Sequence, residues 1–175
     1  MTRSGLLLFF MLVFALLLAD GVQPVGNGTE YYPYQIESLE NLLWMGTNQE
    51  AMDKYYIQTA DIDATETVNW NDGAGFIPIG NEQLDWVFRG HYDGQDHLIS
   101  NLYINRPEES EIGFFGFAEG AYISNLNLED FQITGYQGVG GLGGFFHIMD
   151  ISNCYCSGTV TAISHCAGGI AGTLW

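Results

Sequence analysis

Basic residues are scarce in this sequence. The chain has 175 residues, with 4 Lys and Arg against 21 Asp and Glu, and a formal net charge of −17 at pH 7. Nucleic acids and anionic membranes are bound through clusters of Lys and Arg. The composition therefore excludes both classes of partner. The acidic excess has three readings, namely a solvated face, divalent-cation binding or a saline habitat, and a solvated face is the simplest.

Cysteine is also scarce, and the three that occur cannot all pair within one chain. A disulfide between Cys154 and Cys156 is geometrically poor, because residues two apart on a strand have Cα atoms about 6.5 to 7 Å apart. We expect these two as small buried hydrophobic side chains. Cys166 is expected to be free or to pair with Cys156. The spacing of the cysteines and His165 lacks the paired gaps of a structural zinc site, so no metal centre is expected there.

Long apolar runs are limited to one, Leu6–Ala19. This is short for a membrane span, which needs about 20 residues, and is typical of a signal-peptide core. We expect a signal peptide over 1–21, cleaved after Gly21, and an extracellular or cell-surface protein with no membrane contact beyond this segment. An uncleaved anchor is the alternative. Residues 22–35, which contain Pro and Gly, predict a flexible leader.

A repeated tetrapeptide organises the rest of the chain. Ile99-Ser100-Asn101-Leu102 returns as Ile123-Ser124-Asn125-Leu126 and as Ile151-Ser152-Asn153-Cys154, and the second interval is four residues longer than the first. A glycine block recurs at a constant interval equal to the longer of these two, and its first and last glycines are Gly113 and Gly116, Gly141 and Gly144, and Gly169 and Gly172. Two markers that recur together predict a repeat architecture over 97–175.

The units alternate apolar and polar residues, as strands do. A strand-helix-strand motif needs about 30 residues or more, and these units are shorter, so we predict an all-β fold in which short coils stack in parallel as a β-solenoid. Equivalent residues would then lie about 4.8 Å apart in columns. The predicted columns are Leu102, Leu126 and Cys154, then Ile104, Leu128 and Cys156, with a corner ladder of Asn101, Asn125 and Asn153. The unequal spacing predicts a shortened corner at Arg106–Glu111.

These glycine blocks and Ile-Ser-Asn strands resemble the GLUG-motif repeats of bacterial and archaeal surface proteins and of the non-catalytic region of IgA1-protease-type peptidases. Segments 55–63, 76–80 and 88–94 look like the leader that precedes such repeats, so residues 47–96 are expected to form leader strands and the first coils. The resemblance implies a right-handed parallel β-helix. It also implies a surface module without chemistry of its own.

A short helix is predicted before the first coil. Ile36, Leu39 and Leu42 recur at helical spacing, and Gly46 is a plausible stop, so the pattern predicts an amphipathic helix over 36–46. A helix at the head of a solenoid covers the edge of the first coil, which would otherwise pair with other chains.

Four aspartates are the candidate site residues. Asp61, Asp63, Asp93 and Asp96 lie at strand ends and turns, where aspartate is common for backbone reasons. As hard oxygen ligands they are candidates for calcium, although they match no EF-hand pattern. Two of them could also serve as the carboxylate pair of a glycosidase. No His-Glu-x-x-His motif occurs in the chain, so zinc peptidase chemistry is not expected.

The sequence therefore predicts a secreted or cell-surface structural, adhesin-like interaction module, with no catalytic residues and no cofactor. Its ligand would be a surface protein or a polysaccharide. The next Ile-Ser-Asn would begin at residue 179, so we expect the chain to be truncated within a coil and further repeats or domains to follow. The alternatives are the non-catalytic stalk of a larger secreted peptidase, or a carbohydrate-active β-helix enzyme.

Overall fold

The computed structural model describes residues 21–81 and 85–175, so the expected signal peptide lies outside the described residues apart from Gly21. The described part contains one α-helix, short 3₁₀ turns and fifteen β-strands, and none of its helices is long and apolar enough to cross a membrane. The elements are β1 Tyr34–Ile36, α1 Leu39–Thr47, β2 Tyr55–Gln58, β3 Ile62–Asp63, β4 His91–Asp93, β5 Leu98–Ser100, β6 Tyr103–Arg106, β7 Phe115–Glu119, β8 Tyr122–Ser124, β9 Asn127–Gly135, β10 Val139–Gly140, β11 Gly143–His147, β12 Asp150–Ser152, β13 Tyr155–Ala162, β14 Ala167–Gly168 and β15 Ala171–Leu174.

The strands pair in parallel and stack into a β-solenoid, which confirms the predicted architecture. We call residues 91–119 the first coil, 120–147 the second coil and 148–175 the third coil. The first sheet has the order β1-β2-β4-β8-β12, the second has β3-β5-β9-β13 with β6 also beside β9, and the third has β7-β11-β15. A fourth, two-stranded sheet pairs β10 with β14 at the corner between the second and third sheets. Each coil contributes a strand to each of the first three sheets, as stacked parallel coils require.

The glycine blocks stack in the predicted register. Phe115 pairs with Gly143, and Gly143 pairs with Ala171, so the three blocks lie over one another in the third sheet and the corner before it. At Gly144 an added Cβ would overlap the backbone of Glu111. Glycine is needed there because two backbones approach too closely for a side chain.

The first Ile-Ser-Asn does not lie in the register that the repeat predicts. Ile99 pairs with Leu128, and Leu128 with Cys156, in the second sheet. Ile123 instead pairs with Tyr92 and Ile151 in the first sheet. The same tetrapeptide therefore occurs on two different sides of the solenoid.

Two predicted columns are corrected by this register. Ile104 pairs with Ile133, which places Leu102 beside Phe131. Leu102 is therefore not in the column of Leu126 and Cys154, and Ile104 is not in the column of Leu128 and Cys156. The later members of each column do align, because Asn127 pairs with Tyr155 and Leu128 with Cys156.

The predicted shortened corner is also wrong. Arg106 pairs with Gly135 and Ile112 is bridged to Val139. Five residues, 107–111, thus span a corner that three residues, 136–138, span in the second coil. The shorter first interval between tetrapeptides arose because the first Ile-Ser-Asn lies on the second sheet, and the corner itself is longer than its successor.

The helix begins at Leu39 and ends at Thr47, later than the predicted 36–46. Ile36 is instead the last residue of β1, which pairs with β2. The Ser38 side chain accepts a hydrogen bond from Asn41 N and caps the helix, as serine does at this position. Gly46 lies inside the helix, where an added Cβ would come within 2.9 Å of the Ile77 carbonyl oxygen.

The segment predicted as a flexible leader makes backbone contacts with the body of the protein. Gln35 N donates to Val25 O at 2.8 Å, in an antiparallel bridge beside β1. Val22 N donates to Glu40 O at 3.0 Å, and Asn41 Nδ2 donates to Val22 O at 2.8 Å. Val22 and Val25 therefore hold the N-terminal part of this segment against α1 and β1.

The core contains many aromatic side chains, among them Tyr56, Phe88 and Phe115, which are all buried. Gln58, where the repeat pattern would place leucine, is buried. Its amide oxygen accepts a hydrogen bond from the hydroxyl of buried Tyr92 at 3.2 Å, and its Nε2 donates to Ala60 O at 2.9 Å. A polar residue is tolerated at this position because its groups are hydrogen-bonded.

Candidate functional site

A ladder of polar side chains runs along the corner that follows the first sheet. Asp93 Oδ1 accepts from Gln95 N at 3.0 Å and from Asn125 Nδ2 at 2.8 Å. Asn153 Nδ2 donates in turn to Asn125 Oδ1 at 3.2 Å. Both asparagines have φ near the left-handed region, at 50° and 52°, which asparagine tolerates better than most residues. The expected contact between Asn125 and Asn153 is present, and Asp93 extends it.

The same arrangement occurs at a second corner. Asn101 Nδ2 donates to Asp63 Oδ1 at 2.9 Å, and Asn101 has a φ of 60°. Asp63 Oδ1 also accepts from Thr65 N at 3.0 Å. The prediction that Asn101 stacks on Asn125 is therefore wrong, because the pairing of Ser100 with Glu129 places Asn101 within the second sheet's own corner.

These hydrogen bonds lower the pKa of the carboxyl groups. The Thr65 hydroxyl, followed by Asn101, lowers the pKa of Asp63. Burial raises the pKa of Asp93, but hydrogen bonds from Asn125 and the turn that follows outweigh burial and leave that pKa lowered. A general acid at neutral pH needs the opposite shift. Both groups are therefore ionised acceptors that hold one coil to the next.

Asp61 and Asp96 hold a neighbouring turn by other contacts. Asp61 Oδ1 accepts from Leu98 N at 3.0 Å and lies 3.0 Å from His97 Nδ1, and these two contacts, in that order, lower its pKa. Asp96 contributes its backbone carbonyl, which accepts from Asn127 Nδ2 at 2.9 Å. Across residues 21–81 and 85–175, no three His, Cys, Asp or Glu side chains are grouped so that they could hold a metal ion.

Sequence reasoning missed an aromatic stack on the outer face of the first sheet. The ring centroids of Tyr55 and His91 are 4.2 Å apart and those of His91 and Tyr122 are 4.4 Å apart, with ring planes within 11°. Because the rings stack along the solenoid axis, they present mainly their edges to solvent. They form one wall of a groove of about 290 Å³ that Asp93 and Ser124 also line. The two intervals along the chain are unequal, so no single period reveals the stack.

The three described Lys and Arg side chains are all ion-paired. An exposed pair such as that of Arg89 contributes little to stability, whereas the Arg106 side chain is mostly buried and its Nε also donates to Phe76 O at 3.2 Å. The three pairs leave most of the carboxylates without a cationic partner in the described part of the chain. The pairs are Lys54 with Asp53 at 2.6 Å, Arg89 with Glu119 at 2.8 Å and Arg106 with Glu109 at 2.9 Å.

The cysteines are free thiols. Cys154 and Cys156 face inward, as predicted, but are half-buried because they belong to the third coil. Burial raises the pKa of the Cys156 thiol to about 12 and also raises the pKa of Cys154. Both are therefore protonated and poorly nucleophilic near neutral pH. Cys166 is exposed and, of the two expectations for it, the free thiol is the one observed.

The third coil has one open side. Among the described strands, β12, β13, β14 and β15 each have a single hydrogen-bonded neighbour. Leu142 and Phe146 of the second coil are fully buried, whereas their equivalents Ile170 and Leu174 are 48% and 67% exposed. This coil therefore presents unpaired backbone and apolar side chains together.

Comparison with known proteins gives three relatives of which this chain spans only a small part. It is 40% identical over 152 residues to Halomucin from Haloquadratum walsbyi, covering 85% of this chain and 2% of that protein. It is 33% identical over 111 residues to a putative Gly-rich membrane protein from Evansella cellulosilytica, covering 62% of this chain and 12% of that protein. It is 32% identical over 80 residues to sucrose phosphorylase from Bifidobacterium adolescentis, covering 45% of this chain and 15% of that protein. No family model matches the chain, and no solved structure matches it.

Proposed function

We propose that this chain is a structural and interaction module of a cell-surface or extracellular protein, without catalytic activity of its own. The main support for this proposal is that polar side chains at the corners form hydrogen bonds between successive coils. Asp63 and Asp93 each accept an amide hydrogen bond from the next coil and have a lowered pKa. Carboxylates engaged in this way fix the stacking of coils, and stacked coils provide an extended surface for a protein or polysaccharide ligand.

The relatives and the N-terminal sequence support a surface location. One relative is named Halomucin and another a Gly-rich membrane protein. The apolar run Leu6–Ala19 is typical of an export signal. We infer that the chain is exported and displayed outside the cytoplasm.

We assign the coils to the GLUG-type repeat and, with it, a right-handed solenoid capped by α1. The support is the register of the glycine blocks, in which Phe115, Gly143 and Ala171 lie on adjacent strands. Leu42 and Met45 of α1 are fully buried, as a helix packed on the end of a core requires.

A carbohydrate-active enzyme is the second candidate, and the 80-residue similarity to sucrose phosphorylase favours it. In this reading the groove beside Tyr55, His91 and Tyr122 would hold a sugar and Asp93 would act on it. The lowered pKa of Asp93 does not fit a general acid, which is why we place this candidate second.

A polysaccharide panel separates the two candidates. Purified protein is incubated with each polysaccharide, and both binding and release of new reducing ends are measured. The module predicts binding without turnover. Turnover that Asp93→Asn abolishes, while Asp96→Asn leaves it unchanged, would overturn the proposal in favour of the enzyme. Immunolabelling of intact cells, with and without external protease, tests the surface location separately.

A further inference from the structure

One tripeptide near the start of the described residues has the sequence of an N-glycosylation acceptor. Asn27-Gly28-Thr29 fits the pattern Asn-x-Ser/Thr, in which the middle residue is any except proline. No other asparagine among the 175 residues is followed two positions later by serine or threonine. A tripeptide this short also occurs by chance, so its surroundings in the fold decide whether it can act as an acceptor.

The tripeptide lies in a surface turn that the rest of the fold holds in place. Asn27 N donates to Tyr32 O at 3.1 Å, and Tyr32 N donates to Thr29 O at 3.2 Å. Gly28 is buried, and its carbonyl oxygen accepts from Tyr55 N of the first sheet at 3.0 Å. Asn27 and Thr29, on either side of this glycine, are exposed. The two residues that a glycosyltransferase has to recognise are therefore the ones in contact with solvent.

The asparagine side chain is oriented by the threonine of the same tripeptide. Asn27 Oδ1 accepts from Thr29 Oγ1 at 2.7 Å and from Thr29 N at 3.1 Å. The oxygen of the planar amide is thus held against Thr29, and the nitrogen lies on the other side of the group. Asn27 Nδ2 has no hydrogen-bond partner within residues 21–81 and 85–175. The nitrogen that would receive a sugar is therefore unoccupied in the folded protein.

A sugar on this nitrogen is compatible with the solenoid. A glycan is bulky and hydrophilic, so a folded protein accommodates it only on a solvated surface. The neighbouring residues of the turn are exposed as well, and Tyr31 is 96% exposed. The first strand begins after the turn, at Tyr34. An attached glycan would therefore extend into solvent and leave the stacked sheets unchanged.

We propose that Asn27 Nδ2 is the acceptor of an N-linked glycan and that the Thr29 hydroxyl positions its side chain for the transfer. The proposal rests on the export proposed above, because N-linked sugars are transferred to exported chains. The donor is a sugar activated as a lipid-linked phosphate or diphosphate. In the transfer, Nδ2 forms a bond to C1 of that sugar and loses one proton. The bond from C1 to the phosphate oxygen breaks, and the lipid-linked phosphate leaves with its electron pair.

Mass spectrometry of the protein, purified from the surface or the medium of the cells that make it, tests the proposal. Trypsin leaves Asn27 in the peptide that ends at Lys54, since no Lys or Arg lies between Arg3 and Lys54. We expect this peptide to carry the added mass of one or more sugars on Asn27. Asn27→Gln should leave it unmodified, and so should Thr29→Val, which keeps the amide and removes the hydroxyl. Thr29→Ser keeps the hydroxyl and should retain the glycan.

The matched control is Asn69→Gln, at an exposed asparagine outside any Asn-x-Ser/Thr tripeptide, and it should leave the glycan in place. An unmodified peptide from the exported protein would contradict the glycan alone and leave the surface module standing. A sugar that persists in Asn27→Gln would be linked to a hydroxyl, which would also contradict the proposal. Protein found only in the cytoplasm would contradict the surface location itself, and with it the access of Asn27 to the transferase.

Discussion

The second and third coils have the same length and register but differ in burial for one reason. Both place an Ile-Ser-Asn after the same corner, and their strands pair residue by residue. Among the described residues, the second coil lies between two coils and its inward side chains are buried, whereas the third coil has a described neighbour on one side only. The comparison shows that the sequence of a coil determines its backbone conformation and register, whereas the neighbouring coils determine how far its inward side chains are buried.

Four pairs of substitutions at equivalent positions test this difference. For each variant, the free energy of unfolding is measured by urea denaturation.

The largest difference is expected in the core column of the second sheet. Leu128→Ala removes a fully buried side chain and should lower the free energy of unfolding by about 2–5 kcal/mol. Cys156→Ala, at the paired position, should cost less than about 1 kcal/mol because its side chain is half-buried. Equal losses at the two positions would show that the third coil is as well covered as the second.

The second-largest difference in stability is expected between alanine substitutions at two equivalent glycines, Gly141 and Gly169. An added Cβ at Gly141 would overlap the Gly169 carbonyl oxygen and lie 2.6 Å from the ring of Phe131, so Gly141→Ala should cost about 1–3 kcal/mol. At Gly169 the same Cβ meets nothing within 4 Å, so Gly169→Ala should change stability by less than about 1 kcal/mol. A large loss at Gly169 would mean that something covers this corner.

The asparagine ladder gives a smaller difference that depends on pH. Asn125→Ala removes hydrogen bonds to both Asp93 and Asn153 and should cost about 1–2 kcal/mol, whereas Asn153→Ala removes one and should cost about half as much. Because the pKa of Asp93 is lowered on folding, its ionised form stabilises the fold above the unfolded-state pKa of about 4 and this contribution is lost as the pH falls. Asn125→Ala should therefore weaken the loss of stability in acid, and an unchanged acid profile would contradict the ladder.

The smallest expected effect is an increase in the free energy of unfolding. Ile148 has a φ of 53°, which is strained for a β-branched residue, and the second coil has Gly120 with a φ of 61° at the equivalent corner. Ile148→Gly should stabilise the protein by about 1 kcal/mol, and Gly120→Ile should destabilise it by a similar amount. A loss of stability in Ile148→Gly would mean that the exposed isoleucine makes contacts that outweigh its strain.

The spacing of the glycine blocks predicted the register of the coils correctly, whereas the position of the first Ile-Ser-Asn predicted a wrong register. A glycine such as Gly144 is required where backbones of successive coils meet, so its spacing reports the true period. Asn101 and Asn125 both have a positive φ, and both donate a side-chain hydrogen bond to an aspartate of the previous coil. More than one corner of the solenoid requires a residue with these two properties. Because the Ile-Ser-Asn tetrapeptide occurs at two different corners, its spacing alone does not give the length of a coil.

The aromatic stack and the buried Gln58 were beyond sequence reasoning for a related reason. The coils before the second differ in length, so Tyr55, His91 and Tyr122 share no common spacing. Gln58 is explained only by the Tyr92 hydroxyl that it meets inside the core. Contacts between coils of unequal length become visible only when the register is known.

Methyl-to-methyl distances measured by nuclear magnetic resonance test the register most directly. The structure pairs Ile99 with Leu128 and Ile104 with Ile133 on neighbouring strands about 4.8 Å apart. We therefore expect strong cross-peaks within both pairs. A strong cross-peak between Ile104 and Leu128, together with none between Ile99 and Leu128, would contradict the account and restore the register that the repeated tetrapeptide predicts.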